Sequence, residues 1–404
     1  FTEALQSLGE IAGVEVRKQS PQQKRENKRL EKLRGILKTA VDWYHGHLLS
    51  NKPDAQEAYR YLREQRGFTD ETIQRFKIGY APAGWTKMLD GLTNLGYTQE
   101  DVLEVGLASQ SSNTPERVYD RFRNRIMIPI YDARGNICGF GARALDPEDI
   151  PKYLNSPQTP LFDKSRTLYG LDVARPGIRE HGEAVIVEGY MDVIQAHQAG
   201  FTNVIAQMGT SLTEPQLKQL VPNHTQKLIL ALDADDAGQN ATRRSLEVVQ
   251  RALSSSSSGQ LNVDVRILHF DGAKDPDDVL RETPAQWPQY IQQALPIADY
   301  LIQRESAKLP DNPTYQERRA VALDVLPLLV AAEDNMARQD NLRKLSLRLH
   351  IPVEDLWLWV EQAQRKQAAQ QRRKQPATPH KPHKPQEASS DSGDEPPPFL
   401  LDDD

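Results

Sequence analysis

Three acidic residues stand directly beyond short apolar segments of this sequence. The run 184–187 is followed by Glu188, and the run 228–232 is followed by Asp233 and, two positions later, by Asp235. Both runs are uncharged and bounded by polar residues, as buried strands usually are. Because ligands of an open parallel sheet bind beyond the carboxyl ends of its strands, these three carboxylates are candidates for one shared site.

The charge of these acids limits the chemistry that they can do. Carboxylates gathered at one site repel each other, so either protons or cations must supply a counter-charge. Oxygen donors without a nearby His or Cys favour Mg²⁺ or Mn²⁺, and two such ions about 3.5–4 Å apart form the arrangement used for in-line phosphoryl transfer. We therefore predict that Glu188, Asp233 and Asp235 bind divalent metal. Asp275 and Asp277 form a further candidate pair, with a helix N-cap as the alternative for Asp277.

These acids belong to a segment in which short strands and helices alternate. The pattern predicts strand 184–187, helix 190–199, strand 203–206, helix 213–220, strand 228–232, helix 238–253 and strand 263–268. Such alternation is typical of parallel βαβ units with right-handed crossovers. Elsewhere the sequence has strand-like runs at 126–130 and 137–141, either side of the turn DARGN, and helical patterns at 36–48, 54–65 and 290–366.

Composition constrains the type of protein more than its function. A chain of 404 residues is long enough for two or three domains, and its net charge of −6 neither indicates nor excludes nucleic-acid binding. The single cysteine, Cys138, excludes an intrachain disulfide and a cysteine-rich zinc site and indicates the reducing cytoplasm. The longest apolar run, 325–332, is too short to span a bilayer, and the first residues do not form a signal peptide. The missing initial Met and the FLLDDD end indicate a fragment or a processed product.

Basic residues are concentrated near the start of the chain. Residues 17–38 contain nine Lys and Arg against Glu26 and Glu31. One interpretation is a solvated helix or linker, and the other is a contact to the polyphosphate backbone of a nucleic acid. The sequence leaves both interpretations open.

Several motifs resemble one known family. VEGYMDV, followed downstream by LDADDAG, resembles the TOPRIM domain of DNA primases, type IA and type II topoisomerases and some nucleases. Four further segments are similar in particular to bacterial replicative primases of the DnaG type: MGTSLT (208–213), KDPDD (274–278), RFRNRIMIPIYDARGNICGFGAR (121–143) and PKYLNSPQTPLFDKSRTLYGL (151–171). The resemblance covers residues 1–370, and its combined motifs are highly specific.

The resemblance implies a fold of several subdomains with α/β and α+β character. A TOPRIM domain, which contains a Rossmann-like parallel sheet, would lie between a mixed α/β N-terminal subdomain and a C-terminal helical subdomain. The implied boundaries are a basic linker or helix at 1–38, the N-terminal subdomain of the RNA polymerase core at 39–176, the TOPRIM domain at 177–288, the helical subdomain at 289–370 and a disordered tail at 371–404. The tail also lacks hydrophobic periodicity, which supports disorder.

The functional residues of the family can be matched to this sequence position by position. The metal-binding acids of the TOPRIM domain match Glu188, Asp233 and Asp235. Glu188 is also a candidate general base, and it forms the implied catalytic set with three further family acids, Asp192, Asp275 and Asp277. The basic cluster of the family, implied to hold template or nucleoside triphosphate, matches Arg143, Lys152, Asn155 and Lys164. Arg and Lys bind phosphate and Asn can bond to a sugar or base, whereas a solvated loop is the alternative interpretation.

The resemblance implies the activity of a DNA primase, a DNA-directed RNA polymerase of the primosome. The protein would be a cytoplasmic monomer that uses ribonucleoside triphosphates and Mg²⁺ or Mn²⁺ to make short RNA primers on single-stranded DNA for replication. The zinc-binding and helicase-binding domains of the family are not visible, so we expect no zinc, and we expect the replicative helicase to bind only the full-length protein. Asp236 follows the DxD pattern where relatives commonly have a basic residue. The alternatives are another TOPRIM enzyme, such as a nuclease or topoisomerase, and a catalytically silent nucleic-acid-binding module.

Overall fold

The computed structural model describes most of the chain up to residue 374. The described residues are 20–111, 113–114, 116–209, 212–220, 225–231, 248, 263–268, 270, 275–330 and 335–374. The chain divides into two compact units, Phe1–Leu356 and Trp357–Asp404. All the described candidate functional residues belong to the first unit.

A long helix opens the described part of the chain. Helix α1 spans Pro21–Leu48, and Ser20 caps it because its hydroxyl accepts the N–H of Gln23 while the Gln23 side chain accepts the N–H of Ser20. The basic first turns are exposed, and full burial begins at Leu33. The helix runs without a break through residue 38, where the sequence analysis placed a boundary. The described part of the basic segment is therefore helical.

Short helices follow α1, and the last of them, α5, pairs with two of its basic residues. They are α2 Pro53–Arg60, continued by a π-helix at Tyr61–Gln65, then α3 Asp70–Arg75, α4 Lys87–Asn94 and α5 Gln99–Glu104. Lys32 Nζ lies 2.6 Å from Asp101 Oδ2, and Arg29 donates a hydrogen bond to Glu104. Two of the basic residues of α1 are therefore paired within the chain.

An antiparallel sheet occupies the middle of the N-terminal region. In spatial order it comprises β1 Gly79–Ala81, β4 Arg125–Tyr131, β5 Ile137–Ala144 and β6 Tyr153–Asn155, and a separate ladder pairs β2 Ala108–Gln110 with β3 Val118–Asp120. The two strand-like runs predicted from the sequence are confirmed as β4 and β5. Between them, Asp132 Oδ1 accepts the N–H groups of Arg134 and Asn136 at 2.8 and 3.0 Å. Gly135 has a φ of 79°, in the left-handed region that glycine adopts readily.

A mixed sheet with a parallel centre forms the next layer. In spatial order it comprises β12 Leu295–Pro296, β11 Asp264–Leu268, β10 Lys227–Ala231, β8 Glu183–Val187, β9 Val204–Gln207 and β7 Leu168–Tyr169. The four central strands are parallel to each other, and the two edge strands, β12 and β7, are antiparallel to their neighbours. The four predicted strands and their parallel arrangement are confirmed, with ends displaced by one residue.

Helices connect these strands and continue after them. The connecting helices are α6 Leu171–His181, α7 Tyr190–Gln198, α8 Glu214–Leu220, α9 Pro276–Glu282 and α10 Trp287–Gln293. They are followed by α11 Ile297–Ser306, α12 Tyr315–Leu329, α13 Asn335–Leu349 and α14 Val353–Lys374. The helix predicted at 238–253 lies outside the described residues except for residue 248. The disordered tail was predicted from residue 371, but α14 continues through Lys374, and the rest of the tail lies outside the described residues. In the described ranges, no helix is both long and apolar enough to cross a membrane.

One apolar core extends from the antiparallel sheet into the parallel sheet. Ile128 and Ile130 of β4 belong to the same buried cluster as Val185 and Val187 of β8. A second cluster includes the apolar face of α1 and Phe140 of β5. Burial of this shared apolar surface holds the two sheets together.

A buried carboxylate supports the first turn of α4. Asp120, at the end of β3, is 3% exposed, and its two carboxylate oxygens accept the N–H groups of Met88 and Leu89 at 2.8 and 2.9 Å. These are N–H groups of the first turn of α4, which have no partner within the helix. Burial raises the pKa of Asp120 from 3.8 to about 6, although the two N–H groups favour the charged form.

We expect Asp120 to make stability depend on pH. Because the folded protein binds this proton more tightly than the unfolded chain, the stabilisation is complete below pH 3.8 and is lost as pH rises through about 6. Relative to Asp120→Asn, which cannot titrate, the unfolding free energy of the wild type should fall by about 3 kcal/mol over that interval. Urea unfolding at pH 4, 5, 6.5 and 7.5 measures the difference, and a difference that does not change with pH would contradict the assignment.

Candidate active site

The carboxyl ends of β8 and β10, two adjacent central strands of the parallel sheet, lie side by side. Ile186 is paired with Leu230, one residue before each strand ends. Glu188 follows β8 directly and is half-buried. Asp233 and Asp235 lie outside the described residues, shortly after the end of β10. The strand register therefore supports a shared site at the carboxyl ends of these two strands. The metal ligands of this site stay a prediction.

The described residues alone do not form a metal site. Among them, no group of three or more His, Cys, Asp and Glu side chains could hold a metal ion. The predicted ligand set needs Asp233 and Asp235, which are not among the described residues. The carboxylate of Glu188 is a hard oxygen donor and fits Mg²⁺ or Mn²⁺ chemically.

Asp192 stabilises the turn that presents Glu188. Asp192 lies in the first turn of α7, and its Oδ2 accepts the N–H of Gly189 at 2.9 Å. A carboxylate at this position is also favoured by the dipole of the helix. Asp192 therefore has a structural role, and its catalytic role stays a prediction.

Asp275 and Asp277 belong to the first turn of α9. Asp275 is the N-cap, because its Oδ1 accepts the N–H of Asp278 at 2.7 Å. The capping role that the sequence left open for Asp277 therefore belongs to Asp275. Asp277 is 7% exposed, and its Oδ2 lies 2.6 Å from Arg66 Nη1 and 3.7 Å from Arg281 Nη1. Burial raises the pKa of the Asp277 carboxyl, although both arginines oppose the shift.

Arg66, which was not among the residues predicted from the sequence, connects the N-terminal region to the parallel sheet. It follows the π-helix Tyr61–Gln65, an element often found at functional sites. Its Nε donates to the Tyr61 hydroxyl at 2.9 Å while its Nη1 contacts Asp277. The ring of Tyr61 in turn lies 5.6 Å from the Arg143 guanidinium. No local motif marks Arg66, because its partner is 211 positions away along the chain.

Tyr153 is surrounded by residues of the predicted basic cluster. Arg143 of β5 is paired with Tyr153 of β6, lies 5.2 Å from its ring centroid and donates a hydrogen bond to its hydroxyl. Lys152 Nζ lies 6.0 Å from the same ring, which is 39% exposed. Desolvation raises the pKa of Tyr153, Arg143 and Arg66 lower it, and Asp192 raises it. The cations and the acid of α7 are therefore within electrostatic reach of the same side chain.

Arg121 interacts with both Asn155 and Lys164: it donates hydrogen bonds to Asn155, and its charge acts on Lys164. The Nε and Nη2 of Arg121 donate to the Asn155 carbonyl oxygen at 3.2 and 3.0 Å. Lys164 is exposed, and its pKa is lowered first by partial desolvation and then by the charge of Arg121. Gln216 of α8 holds the loop, since its Nε2 donates to the carbonyl oxygens of Lys164 and Thr167 at 3.0 and 2.8 Å. The structure thus places Arg143 on β5, Lys152 directly before β6, Asn155 on β6 and Lys164 in the loop after β6.

A second aromatic and basic surface was not predicted. Trp85 is 55% exposed. Its ring lies 4.4 Å from the Arg123 guanidinium and 5.1 Å from that of Arg117, and it meets Tyr119 edge-on at 5.5 Å. We call these four residues the tryptophan surface. The interleaved arginines and aromatics of RVYDRFR (117–123) were the signal that could have identified it.

Comparisons with protein families match this organisation. A profile described as "DNA primase catalytic core, N-terminal domain" matches residues 43–175, and a "Toprim-like" profile matches residues 185–280. The first range contains Arg66, the basic cluster and the tryptophan surface, and the second contains Glu188 and Asp277. The two profiles therefore divide the candidate site between them.

Individual relatives agree with the profiles. A DNA primase from Synechocystis sp. is 36% identical over 340 residues, which are 81% of this chain and 52% of the relative. The chain spans about half the length of the curated relatives that it matches. The crystal structure of a DNA primase domain from Pseudomonas aeruginosa has a TM-score of 0.70 and 35% identity and covers 81% of this chain and 99% of that chain. The DnaG primase catalytic domain bound to ssDNA has a TM-score of 0.68 and 31% identity, with coverage of 81% and 99%.

Replacing Arg66 should destabilise the protein through Asp277. Arg66→Met leaves a carboxylate that is 7% exposed without its 2.6 Å partner, so the unfolding free energy should fall by about 3–5 kcal/mol. In an Asp277→Asn background the same substitution should cost much less. Urea denaturation of the two single variants and the double variant measures this coupling.

The control for this experiment is an ion pair at the surface. Lys218→Met removes an exposed partner of Glu214, 2.7 Å away, and should change the unfolding free energy by less than about 1 kcal/mol. An equal loss for Arg66→Met with and without Asp277 would show that the ion pair does not carry the effect.

Proposed function

Because this chain belongs to the DnaG-type bacterial DNA primases and spans their catalytic core, we propose that it synthesises short RNA primers on single-stranded DNA. The reaction would be template-directed attack of a ribose 3′-hydroxyl on an incoming ribonucleoside triphosphate, with pyrophosphate leaving. A related catalytic domain solved with bound ssDNA supports the choice of template. The observation that carries the proposal is the 2.6 Å contact between Arg66 and Asp277, which joins the basic region to the acids of the parallel sheet.

The proposed cofactor is Mg²⁺ or Mn²⁺, held by Glu188, Asp233 and Asp235. A bound divalent cation would stabilise negative charge on the attacking and leaving oxygens. Support comes from the register of β8 and β10, from the carboxylate chemistry of the ligands and from the Toprim-like match. The remaining acids of the proposed catalytic set are Asp192, which accepts the N–H of Gly189, Asp275, which caps α9, and Asp277, which contacts Arg66.

The proposed substrate site is the basic cluster. Arg143, Lys152 and Lys164 supply cations for the phosphates of nucleotide or template, and Asn155 supplies an amide for a sugar or base. Tyr153 keeps the Arg143 guanidinium in place by stacking and by a hydrogen bond. The partners that we propose are therefore ribonucleoside triphosphates and single-stranded template, with a cytoplasmic monomer as the working form. The replicative helicase is assigned to the full-length protein.

The tryptophan surface is proposed to hold the template strand. An exposed indole offers a stacking platform to any base, and the adjacent arginines offer charge to the phosphates. Arg121 donates a hydrogen bond to Asn155, and Arg123, two positions later, lies over the ring of Trp85. A strand that lies on Trp85 would therefore lead towards the basic cluster.

A primer-synthesis assay tests the proposal directly. Labelled ribonucleotides, single-stranded DNA and the protein are incubated with and without Mg²⁺, and the expected result is short RNA only with the metal. Binding of DNA without any incorporation would instead support a catalytically silent module, and cleavage or relaxation of DNA would support another TOPRIM enzyme.

Asp233→Ala and Asp235→Ala should each abolish nucleotide incorporation. The folded state should be unchanged or slightly more stable without metal, because loss of one carboxylate relieves repulsion between like charges. Asp264→Ala is the control, since this exposed acid lies at the amino end of β11, where it pairs with Arg266. Wild-type primer yield from either of the first two variants would contradict the metal assignment.

Trp85→Ala should weaken binding of single-stranded DNA by about 5- to 100-fold, the effect of losing one stacked base. Fluorescence anisotropy with a labelled oligonucleotide at fixed salt measures the dissociation constant. Tyr315→Ala is the matched control, because it removes a 47% exposed aromatic ring over which no arginine stacks among the described residues. Equal dissociation constants for both variants would remove the tryptophan surface from the proposed template path.

A further inference from the structure

The ring of Tyr190 lies directly on the backbone of the antiparallel sheet. Tyr190 follows Glu188 and Gly189 and begins α7, yet its side chain contacts β5. A Cβ atom at Gly141 would lie 2.5 Å from Tyr190 Cζ and 2.9 Å from its hydroxyl oxygen, closer than any real contact. Only a glycine at position 141 therefore permits this arrangement, which brings the hydroxyl of Tyr190 to the basic cluster.

Asn155 is the residue that this hydroxyl reaches. Asn155 of β6 is paired with Gly141 of β5, and the Tyr190 hydroxyl donates a hydrogen bond to Asn155 Oδ1. The backbone carbonyl of Asn155 is held independently by two N–H groups of Arg121. Both the main chain and the amide oxygen of Asn155 are therefore fixed by neighbours.

The direction of the hydrogen bond decides what Asn155 can offer to a ligand. The partner of the Tyr190 hydroxyl is Oδ1, and an amide oxygen can only accept, so the phenol is the donor. An amide whose oxygen is engaged in this way has its NH₂ group, with two donors, turned to the other side. Among the described residues, no hydrogen bond from Asn155 Nδ2 is present, so these donors remain for a ligand.

We propose that Tyr190 is a positioning residue that orients Asn155, so that the Asn155 NH₂ group binds an oxygen acceptor of the nucleotide. The acceptor is an oxygen of a phosphate, a ribose or a base carbonyl, since a group that only donates hydrogen bonds would face a donor. This inference rests on the proposed function of the basic cluster as a nucleotide site. It assigns to the motif VEGYMDV a second task besides presenting Glu188.

Kinetics of the variants Tyr190→Phe, Asn155→Ala and their combination test the proposal. In the primer-synthesis assay, Tyr190→Phe should raise KM for the nucleotide roughly 3- to 10-fold, the effect of one lost hydrogen bond, with a smaller change in kcat. In the Asn155→Ala background, Tyr190→Phe should have no further effect on KM, because the group that it orients is gone. An equal factor in both backgrounds would show that Tyr190 does not act through Asn155.

Tyr169→Phe is a matched control for loss of a buried hydroxyl. The ring of Tyr169 meets that of Tyr190 edge-on at 5.1 Å, and within the described residues its buried hydroxyl has no hydrogen-bond partner. It should therefore leave KM unchanged. If Tyr169→Phe raised KM as much as Tyr190→Phe does, the effect would come from general packing and the proposal would fail.

Asn155→Asp tests which amide atom faces the ligand. This substitution keeps an acceptor for the Tyr190 hydroxyl but replaces the NH₂ group with an oxygen, so KM should rise at least as much as in Asn155→Ala. Wild-type KM would show that an oxygen faces the ligand and would overturn the inference. Absence of incorporation by the wild type would contradict the proposed function, whereas wild-type kinetics of Tyr190→Phe in an active enzyme would contradict this inference alone.

Discussion

The close approach of Tyr190 to Gly141 is the contact on which the arrangement of the candidate site depends. It allows the helix that follows Glu188 to pack against the strand that carries Arg143. The shared apolar core around β4 and β8 supports the same junction from within. Because both contacts are closely packed, they have little freedom to shift.

Asp277 and Arg66 carry opposite charges and pair with each other across this junction. Asp277, which is buried and has a raised pKa, contacts Arg66. Arg66 also donates a hydrogen bond to Tyr61, whose ring lies next to the Arg143 guanidinium. The pairing with Arg66 offsets the charge of Asp277, one of the candidate catalytic acids. The same arrangement explains why several candidate catalytic acids have structural partners, since the turns that present the acids must themselves be held.

Sequence alone was sufficient for elements with a repeating or local signal. The strands β8, β9, β10 and β11 were predictable from short apolar runs between helical patterns, and the β4–β5 turn from Asp132, Gly135 and Asn136. The basic cluster was found through motifs, not through periodicity. The start of α1 was missed although Ser20 and Gln23 form a readable capping signal, because the first turns have no apolar face.

Other features depend on contacts between distant segments and could not be predicted. Arg66 is recognisable only by its partner Asp277. The RVYDRFR segment shows alternating arginines and aromatics, but not that Trp85 lies exposed beside them. The edge strands β7 and β12 have two residues each, too few for any periodicity to be visible. The structural role of Asp275 could not be separated from that of Asp277 because both stand in the first turn of the same helix.

The pairing of β7 with β9 has a consequence for how this kind of protein can be recombined. Leu168 and Tyr169 belong to the parallel sheet, although they precede the point at which the sequence changes from one family profile to the next. The loop that carries Lys164 also depends on Gln216, far downstream. A chimera of two homologues joined between the profiles, near residue 180, would therefore separate a strand from its sheet and a lysine from its support. A segment that can be exchanged as one folded piece therefore has to begin before the loop at 158–167. This structural boundary differs from the boundary between the two family profiles.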